Sequence, residues 1–330
     1  MVVKQPAVDK NKAEKDATGL VTEIYQTIGR GDTKDGLFAL LAEPLVVFGP
    51  RKADAFASRS DALVALQTIV DPKAKRKIPV ASRDLDVVPS PGGHSAWAVD
   101  VVAAGGDMFA MTTILTNNDD IWIVNAVALA MMPEKGQAKS ENARDAVVPP
   151  AAGSKVKVDD AARGAVDRFE KGLLDQRVWG DDLSSSGKAV FVGPTAGEIT
   201  RGKDDLKKLW QKRVDKRVRE AVSGEMSAAT TPDGQLAWVT APVTRVDDKE
   251  TAMPLRVFAV FEKAGEGWTM IALHESLALD QPGAGTTFKK KLPPKPEEPK
   301  AEDKPQPVKK KVKKTDSEPT PKKKKKKRSL

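Results

Sequence analysis

Val47-Phe48-Gly49-Pro50 and Phe191-Val192-Gly193-Pro194 are one phrase written twice, 144 residues apart. Working outward, Pro91-Gly92-Gly93-His94-Ser95-Ala96-Trp97 is echoed 141 residues later by Pro232-Asp233-Gly234-Gln235-Leu236-Ala237-Trp238. Ile121-Trp122-Ile123-Val124 is echoed 146 residues on by Gly267-Trp268-Thr269-Met270. Order and spacing are both kept, so the sequence predicts one fold used twice within 330 residues, a length that accommodates two domains.

Each copy predicts helices first and strands after. Leu20, Ile24 and Ile28 recur at helical spacing over Asp16 to Arg30, and Ala162, Val166, Phe169 and Leu173 do so over Asp159 to Leu174. A short helical patch follows in each (Asp35 to Leu41; Val178 to Leu183), then a strand into the Gly-Pro turn and a further helix (Ser60 to Val70; Lys203 to Val214). Strands are expected near Arg83 to Val88, Ser95 to Ala103, Met108 to Thr116 and Ile121 to Met131. In the second copy they fall near Glu220 to Ala229, Leu236 to Val246, Thr251 to Glu262 and Trp268 to Leu279. This order makes an α+β fold of two cone-shaped domains, each with N-terminal helices packed on a curved antiparallel sheet. The expected boundaries are a polar arm at 1–16, domains at 17–132 and 158–280, a linker at 133–157 and a tail at 281–330.

Composition narrows the chemistry. There is no cysteine and there are two histidines, His94 and His274. Thiolate zinc sites, cysteine nucleophiles and histidine-rich metal centres are excluded, and neither metal nor cofactor is expected. No apolar run reaches the roughly 20 residues of a membrane-spanning helix, and Met1 to Asp16 lacks the apolar centre of a signal peptide. The reading is a soluble protein of the cytoplasm, or of the nucleus in a eukaryotic host. The net charge of +9 is unevenly spread: residues 289–330 hold 18 basic and six acidic side chains, leaving 37 basic and 40 acidic for residues 1–288.

A first helix ending in Gly-Asp, then Val-Val-Phe-Gly-Pro, a helix, and a last strand opening at Trp resembles the SnoaL-like branch of the nuclear transport factor 2-like superfamily. The second copy is the closer match, through Ile199-Thr200-Arg201-Gly202-Lys203 and Gly267-Trp268 to His274-Glu275-Ser276. The resemblance implies a cone whose open end holds a small molecule, and a sheet face used for dimerisation. It thereby implies that the two domains pack as an intramolecular pseudo-dimer. Ketosteroid-isomerase-like members use a carboxylate just before a proline, a tyrosine in the first helix and an acid on a later strand. Here those places fall at Gly49 and Gly193, one residue away from Tyr25, and near Thr113 and Arg256. A glycine cannot act as a base, which argues against isomerase chemistry.

Alternation places His274 on one strand face with Trp268, Met270, Ala272 and Ser276. If that face lines the cone, His274 serves as a general base or ligand donor, and Arg256 on the neighbouring strand attracts an anion. The competing reading makes His274 a buried residue hydrogen-bonded within the sheet, or a dimer contact. Ligand-binding candidates are therefore Arg256, Trp268, His274 and Ser276, for a small apolar or anionic ligand. The first copy has Ala128 in place of the histidine, within an apolar run, and reads as structural or a hydrophobic receptor. His94 reads as a solvated turn residue, Trp97 and Trp238 as packing residues, and Asp181-Asp182 and Asn117 to Asp120 as caps and turns.

The tail is rich in proline and poor in apolar residues, and is expected to be disordered. Lys309, Lys310, Lys311, Lys313 and Lys314, then Lys322, Lys323, Lys324, Lys325, Lys326, Lys327 and Arg328, suit nucleic acid or another polyanion. No aromatic lies among them, so such binding is expected to be non-specific. The leading expectation is a non-enzymatic module with two cones and a polycationic tail. The alternative is an isomerase-, hydrolase- or cyclase-like enzyme using His274.

Overall fold

The structure is a computed structural model, and it describes residues 8–31, 35–49, 54–67, 80–104, 107–133, 159–181, 187–249 and 251–277. The linker, apart from Pro133, and the whole tail with its lysine clusters lie outside the described residues. The first half runs α1 (Lys10–Arg30), α2 (Gly36–Ala39), β1 (Leu41–Phe48), β2 (Ala55–Phe56), α3 (Arg59–Gln67), β3 (Val80–Ser82) and β4 (Asp86–Pro89). It closes with β5 (Ser95–Ala104), β6 (Asp107–Asn118) and β7 (Ile121–Met131). The second half runs α4 (Arg163–Leu174), α5 (Gln176–Asp181), β8 (Val190–Val192), β9 (Ile199–Arg201), α6 (Lys203–Asp215), β10 (Arg219–Val222) and β11 (Ser227–Thr230). It closes with β12 (Leu236–Val246), β13 (Ala252–Ala264) and β14 (Gly267–Leu277).

Two seven-stranded sheets result, ordered β2-β1-β7-β6-β5-β3 with β4 also on β5, and β9-β8-β14-β13-β12-β10 with β11 also on β12. The two orders are the same. Both sheets depart from the expected antiparallel pattern at one place, because β1 runs parallel to β7 and β8 parallel to β14. A parallel pair needs a long connection, and everything between the first and last long strands supplies it. The strand expected over Glu220 to Ala229 breaks into β10 and β11 on one long partner, while that expected over Arg83 to Val88 is confined to β4, with the additional β3 before it on the same partner.

The first helix starts at Lys10, inside the expected polar arm, where the Asp9 carboxylate accepts from the Asn11 N–H at 2.9 Å. Ala13 and Ala17 are buried and extend the Leu20, Ile24, Ile28 stripe by about two turns. Alanine carries a core contact with little apolar bulk, which is why the stripe read shorter than it is.

Each sheet has one helix-covered face and one that meets the other sheet. Ala98, Val102, Met111 and Leu129 lie with α1, while Val239, Ala241, Val257 and Leu273 lie with α4 and α6. A second core joins the remaining faces: Val46, Phe48, Trp97, Ile114 and Ala128 from the first half with Val192, Trp238, Phe258, Val260 and Ala272 from the second. Of the two recurring tryptophan pairs, Trp97 and Trp238 belong to this seam, and Trp122 and Trp268 to the helix-covered core. Packing aligned sheets face to face buries apolar side chains from both.

Candidate functional site

A β-bulge decides which face each predicted residue joins. Pairing of β13 with β14 runs Val260 to Ala272 and then Phe261 to Met270, so Ile271 is an extra residue. β6 and β7 have the same irregularity at Asn125, whose side chain accepts from the Thr116 hydroxyl. An extra residue inverts the alternation beyond it. The expectation that Trp268 and Met270 share a face with His274 is therefore corrected: those two face the helices, whereas Ile271 and Ala272 lie in the seam. His274 follows Ala272 at an interval of two and shares its face.

His274 is fully buried between the sheets. Its Nδ1 shares a hydrogen bond of 3.1 Å with the Thr112 hydroxyl of the first half, and its ring lies 5.9 Å from that of Phe48. Burial, then the charge of Arg256, pushes the imidazole down to about 3 against a weaker pull from Glu275. The neutral ring is sealed from solvent. Arg256, also fully buried, donates to the Gly49 carbonyl at 2.6 Å and the Asp54 carbonyl at 3.3 Å, and its guanidinium stands 4.9 Å from the centre of Phe48. Burial lowers it to about 10, with Asp54 opposing. Ser276 donates to the Arg256 carbonyl at 3.3 Å. His274 and Arg256 thus contact the first half, and Ser276 bonds Arg256 within its own sheet. Trp268 lies elsewhere, packed beside Gly164 with Lys263 4.7 Å from its ring centre.

Polar contacts frame the seam. Ser95 donates to Asp233 at 2.8 Å, and Arg201 pairs with Asp84 at 2.9 Å and Asp86 at 3.3 Å. The Ala196 N–H donates to the Pro133 carbonyl at 2.9 Å.

The helix-covered face of the second half is filled. Trp179 stacks near Phe169 at 5.9 Å, and Trp210 meets Phe191 edge-on at 5.4 Å. The fit is close enough that a Cβ on Gly172 would lie 1.5 Å from the Trp179 indole nitrogen. Four charges complete it. Arg213 grips Glu275 with two hydrogen bonds of 2.9 and 3.0 Å, and Arg245 bonds Glu220 at 2.6 Å and also Glu275. Burial alone would raise the Glu275 carboxyl, but Arg213 and Arg245 hold it below the usual range. The charges balance, as buried ion pairs require.

The helix-covered face of the first half is polar in a different way. Asp100 interrupts the apolar run of β5 and is 1% exposed. Its Oδ1 accepts from the Asp84 N–H at 3.0 Å, while Oδ2 has no hydrogen-bond partner. The Thr113 hydroxyl, on the adjacent strand and the same face, also has none. Tyr25 of α1 points its hydroxyl at the Met111 sulfur, 4.0 Å away, opposite Asp100 across the β5–β6 pairing. Burial and then the Asp100 charge hold the phenol well above its ordinary range. Buried polar groups are rarely left without partners, so Asp100 and Thr113 stand out, and the Tyr25 hydroxyl beside them is directed at the Asp100 carboxylate as well as at Met111. Sequence reasoning missed Asp100, Glu220, Arg245 and Glu275. The available signal was a charged residue inside an otherwise apolar strand.

The glycine before each proline has a steric reason in the second half. A Cβ on Gly193 would fall 2.6 Å from the Glu198 Cβ, so no carboxylate can stand there unless the turn opens. His94 is partly buried, and its carbonyl accepts from the Asn117 N–H at 2.8 Å, so it is a tied turn residue rather than a solvated one. Among the described residues no acidic or histidine cluster could hold a metal ion, and no helix is long and apolar enough to cross a membrane.

Residues 180–280 match the family profile described as a SnoaL-like domain. Among solved structures, an NTF2-like protein of unknown function from Pseudomonas putida is similar at 16% identity, over 38% of this chain and 92% of that one, with a TM-score of 0.33. A nuclear transport factor 2-like superfamily protein from Salmonella enterica is similar at 16% identity, over 37% and 92%, with a TM-score of 0.30. A protein with a cystatin-like fold from Caulobacter vibrioides is similar at 12% identity, over 36% and 87%, with a TM-score of 0.30. Curated proteins give no match. One SnoaL-like domain therefore lies at residues 180–280.

Proposed function

We propose that this chain is a non-catalytic binding module made of two SnoaL-like units, residues 17–132 and 158–280, joined as an intramolecular pseudo-dimer. In this reading the second unit is the scaffold and the first carries a small-molecule site. The tail at 281–330 adds non-specific contact with polyanions, motivated by its lysine clusters. Three things support the division of labour. The two sheets share a strand order and a seam. His274 and Arg256, the candidates for chemistry, are buried in that seam and bonded to the first half through His274 Nδ1 and the Arg256 guanidinium, leaving only His274 Nε2 of the imidazole without a partner. The second unit's helix-covered face is packed with aromatics and matched charges.

The observation that carries the reading is the buried Asp100 Oδ2, without a hydrogen-bond partner beside Tyr25 and Thr113. A carboxylate oxygen accepts and hydroxyls both donate and accept, so the site suits a small molecule presenting an N–H or O–H to Asp100. The second unit contributes indirectly. Arg201 holds Asp84, and the Asp84 N–H fixes the other oxygen of Asp100. Thermal-shift screening of the full chain against small amines, amides and alcohols tests this. Binders should stabilise the wild type, and Asp100→Asn and Tyr25→Phe should each weaken them at least tenfold. Binders unaffected by both substitutions, or no binder in such a panel, would overturn it.

A further inference from the structure

Residues 203–219, which are α6 and the turn into β10, hold eight basic and three acidic side chains. They sit on a body, residues 1–288, with more acidic than basic residues, 40 against 37. The concentration is therefore local. Its inner side is accounted for: Leu206 and Trp210 are buried in the core, and Arg213 is committed to Glu275. The outer side is a groove of about 490 Å³ between α5 and α6, lined by Arg177, Lys207, Lys208, Lys212 and Asp215 above Trp210. Lys207, Lys208, Lys212, Lys216, Arg217 and Arg219 are exposed.

We propose that the α5–α6 groove is a binding surface for the phosphate backbone of nucleic acid. Lys208 and Lys212 lie on α6 four residues apart, about 6 Å of helix rise, and Lys216 caps its end, so they form a row of cations rather than a point. Lysine ammonium groups act on phosphate as compact point charges, and a row of them suits a linear polyanion whose charges recur along a backbone. The groove offers one arginine, Arg177, and that one is held by Asp175 at 3.1 Å. An acidic polypeptide is the rival occupant, and competition by polyglutamate decides between the two. The ion pairs now present, Arg177–Asp175 and Lys208–Asp205, are solvent-exposed and weak enough to yield to phosphate. Trp210 is only 2% exposed, so stacking on bases is not offered and the binding is without sequence preference.

This surface belongs to the folded body, and its test separates it from the tail. Binding of a 20-base-pair DNA duplex to the full-length chain is measured across a salt series, with polyglutamate as competitor. Each phosphate neutralised contributes about 0.9 to the slope of log affinity against log salt. Reversal of Lys207, Lys208 and Lys212 to Glu should lower the slope by roughly 2 to 3 and weaken binding at low salt by at least about tenfold. The same three positions changed to Gln, which perturbs folding less, should lower it similarly. Reversing Lys10, Lys12 and Lys15 on α1 changes net charge equally and should leave the slope nearly unaltered. A full-length variant with glutamine at Lys322 to Lys327 and Arg328 reports the tail alone. A slope that falls only in the tail variant would overturn the groove and leave the tail standing. Equal losses from α1 and α6 reversals, or polyglutamate binding tighter than DNA, would also overturn it.

Discussion

The helix-covered faces of the two halves are built on the same strand order, yet their polar residues fall at different places. In the second half Glu275 and Arg245 stand where the first has Leu129 and Ala104, at offsets of 146 and 141. In the first half Asp100 and Thr113 stand where the second has Ala241 and Ala259, at offsets of 141 and 146, with Tyr25 of α1 beside them. The strand registers agree with this matching, since Asp100 opposes Met111 as Ala241 opposes Val257. One set of polar groups is closed on itself and the other is open. Matched buried charges depend on one another, because removing any one of them strands its partners in the core. Groups without partners cost stability and persist where something outside the chain completes them.

Breaking the closed set should produce the largest effect. Glu275→Leu gives the second half the residue of the first and leaves Arg213 and Arg245 short of their shared partner. Loss of one member of a buried ion network costs about 3–5 kcal/mol, and urea denaturation of wild type and variant should show it. Replacing Glu275, Arg213, Arg245 and Glu220 together with apolar residues of similar volume should recover most of that loss. A Glu275→Leu variant within about 1 kcal/mol of wild type would show that the network is solvated, and the contrast between the halves would lose its basis.

The halves also differ in how well their sequences announced them. Repeated glycines, prolines and tryptophans exposed the paired architecture, because turns and seam contacts need those residue types at fixed places. The site was less legible. His274 was assigned its face by strict alternation, and the bulge at Ile271 reversed that assignment for Trp268 and Met270. A bulge leaves no compositional mark in an apolar strand. Arg256 looked like an anion receptor because sequence does not reveal that the Gly49 and Asp54 carbonyls of the other half would be its acceptors. Asp100 went unread among Trp97, Ala98, Val99, Val101 and Val102, where hydrophobic periodicity absorbs a single acid.

The seam between the halves makes a prediction in pH. His274 titrates near 6.5 when unfolded and near 3 when folded, lowered first by burial and then by Arg256. The unfolded chain therefore takes up the proton first. Stability contributed by the neutral ring is fully present above 6.5 and is lost as pH falls from there toward 3. The slope approaches one proton, about 1.4 kcal/mol per pH unit, so wild type should lose about 2 kcal/mol between pH 6.5 and 5 from this group. His274→Gln should remove that component while His94→Gln keeps it, as read from denaturation midpoints at the two pH values. If the His274 variant retained the full wild-type slope, the ring would have to be reachable by solvent, and the sealed seam would be wrong.

The open set should respond least. Asp100→Asn keeps an oxygen to accept the Asp84 N–H and removes a buried charge whose second oxygen has no hydrogen-bond partner. Its cost should stay within about 1 kcal/mol of wild type, on either side, several-fold below that of Glu275→Leu. Tyr25→Phe removes a hydroxyl shared between a weak thioether acceptor and the Asp100 carboxylate, and should be similarly mild. It should also change the alkaline limb. Burial and Asp100 raise the folded phenol above 10, so its contribution is present below pH 10 and lost as pH rises beyond it. The variant should lack that part of the decline. Large losses in both variants at neutral pH would mean that Asp100 and Tyr25 hold the first half together as Glu275 holds the second, leaving no open surface for a ligand to complete.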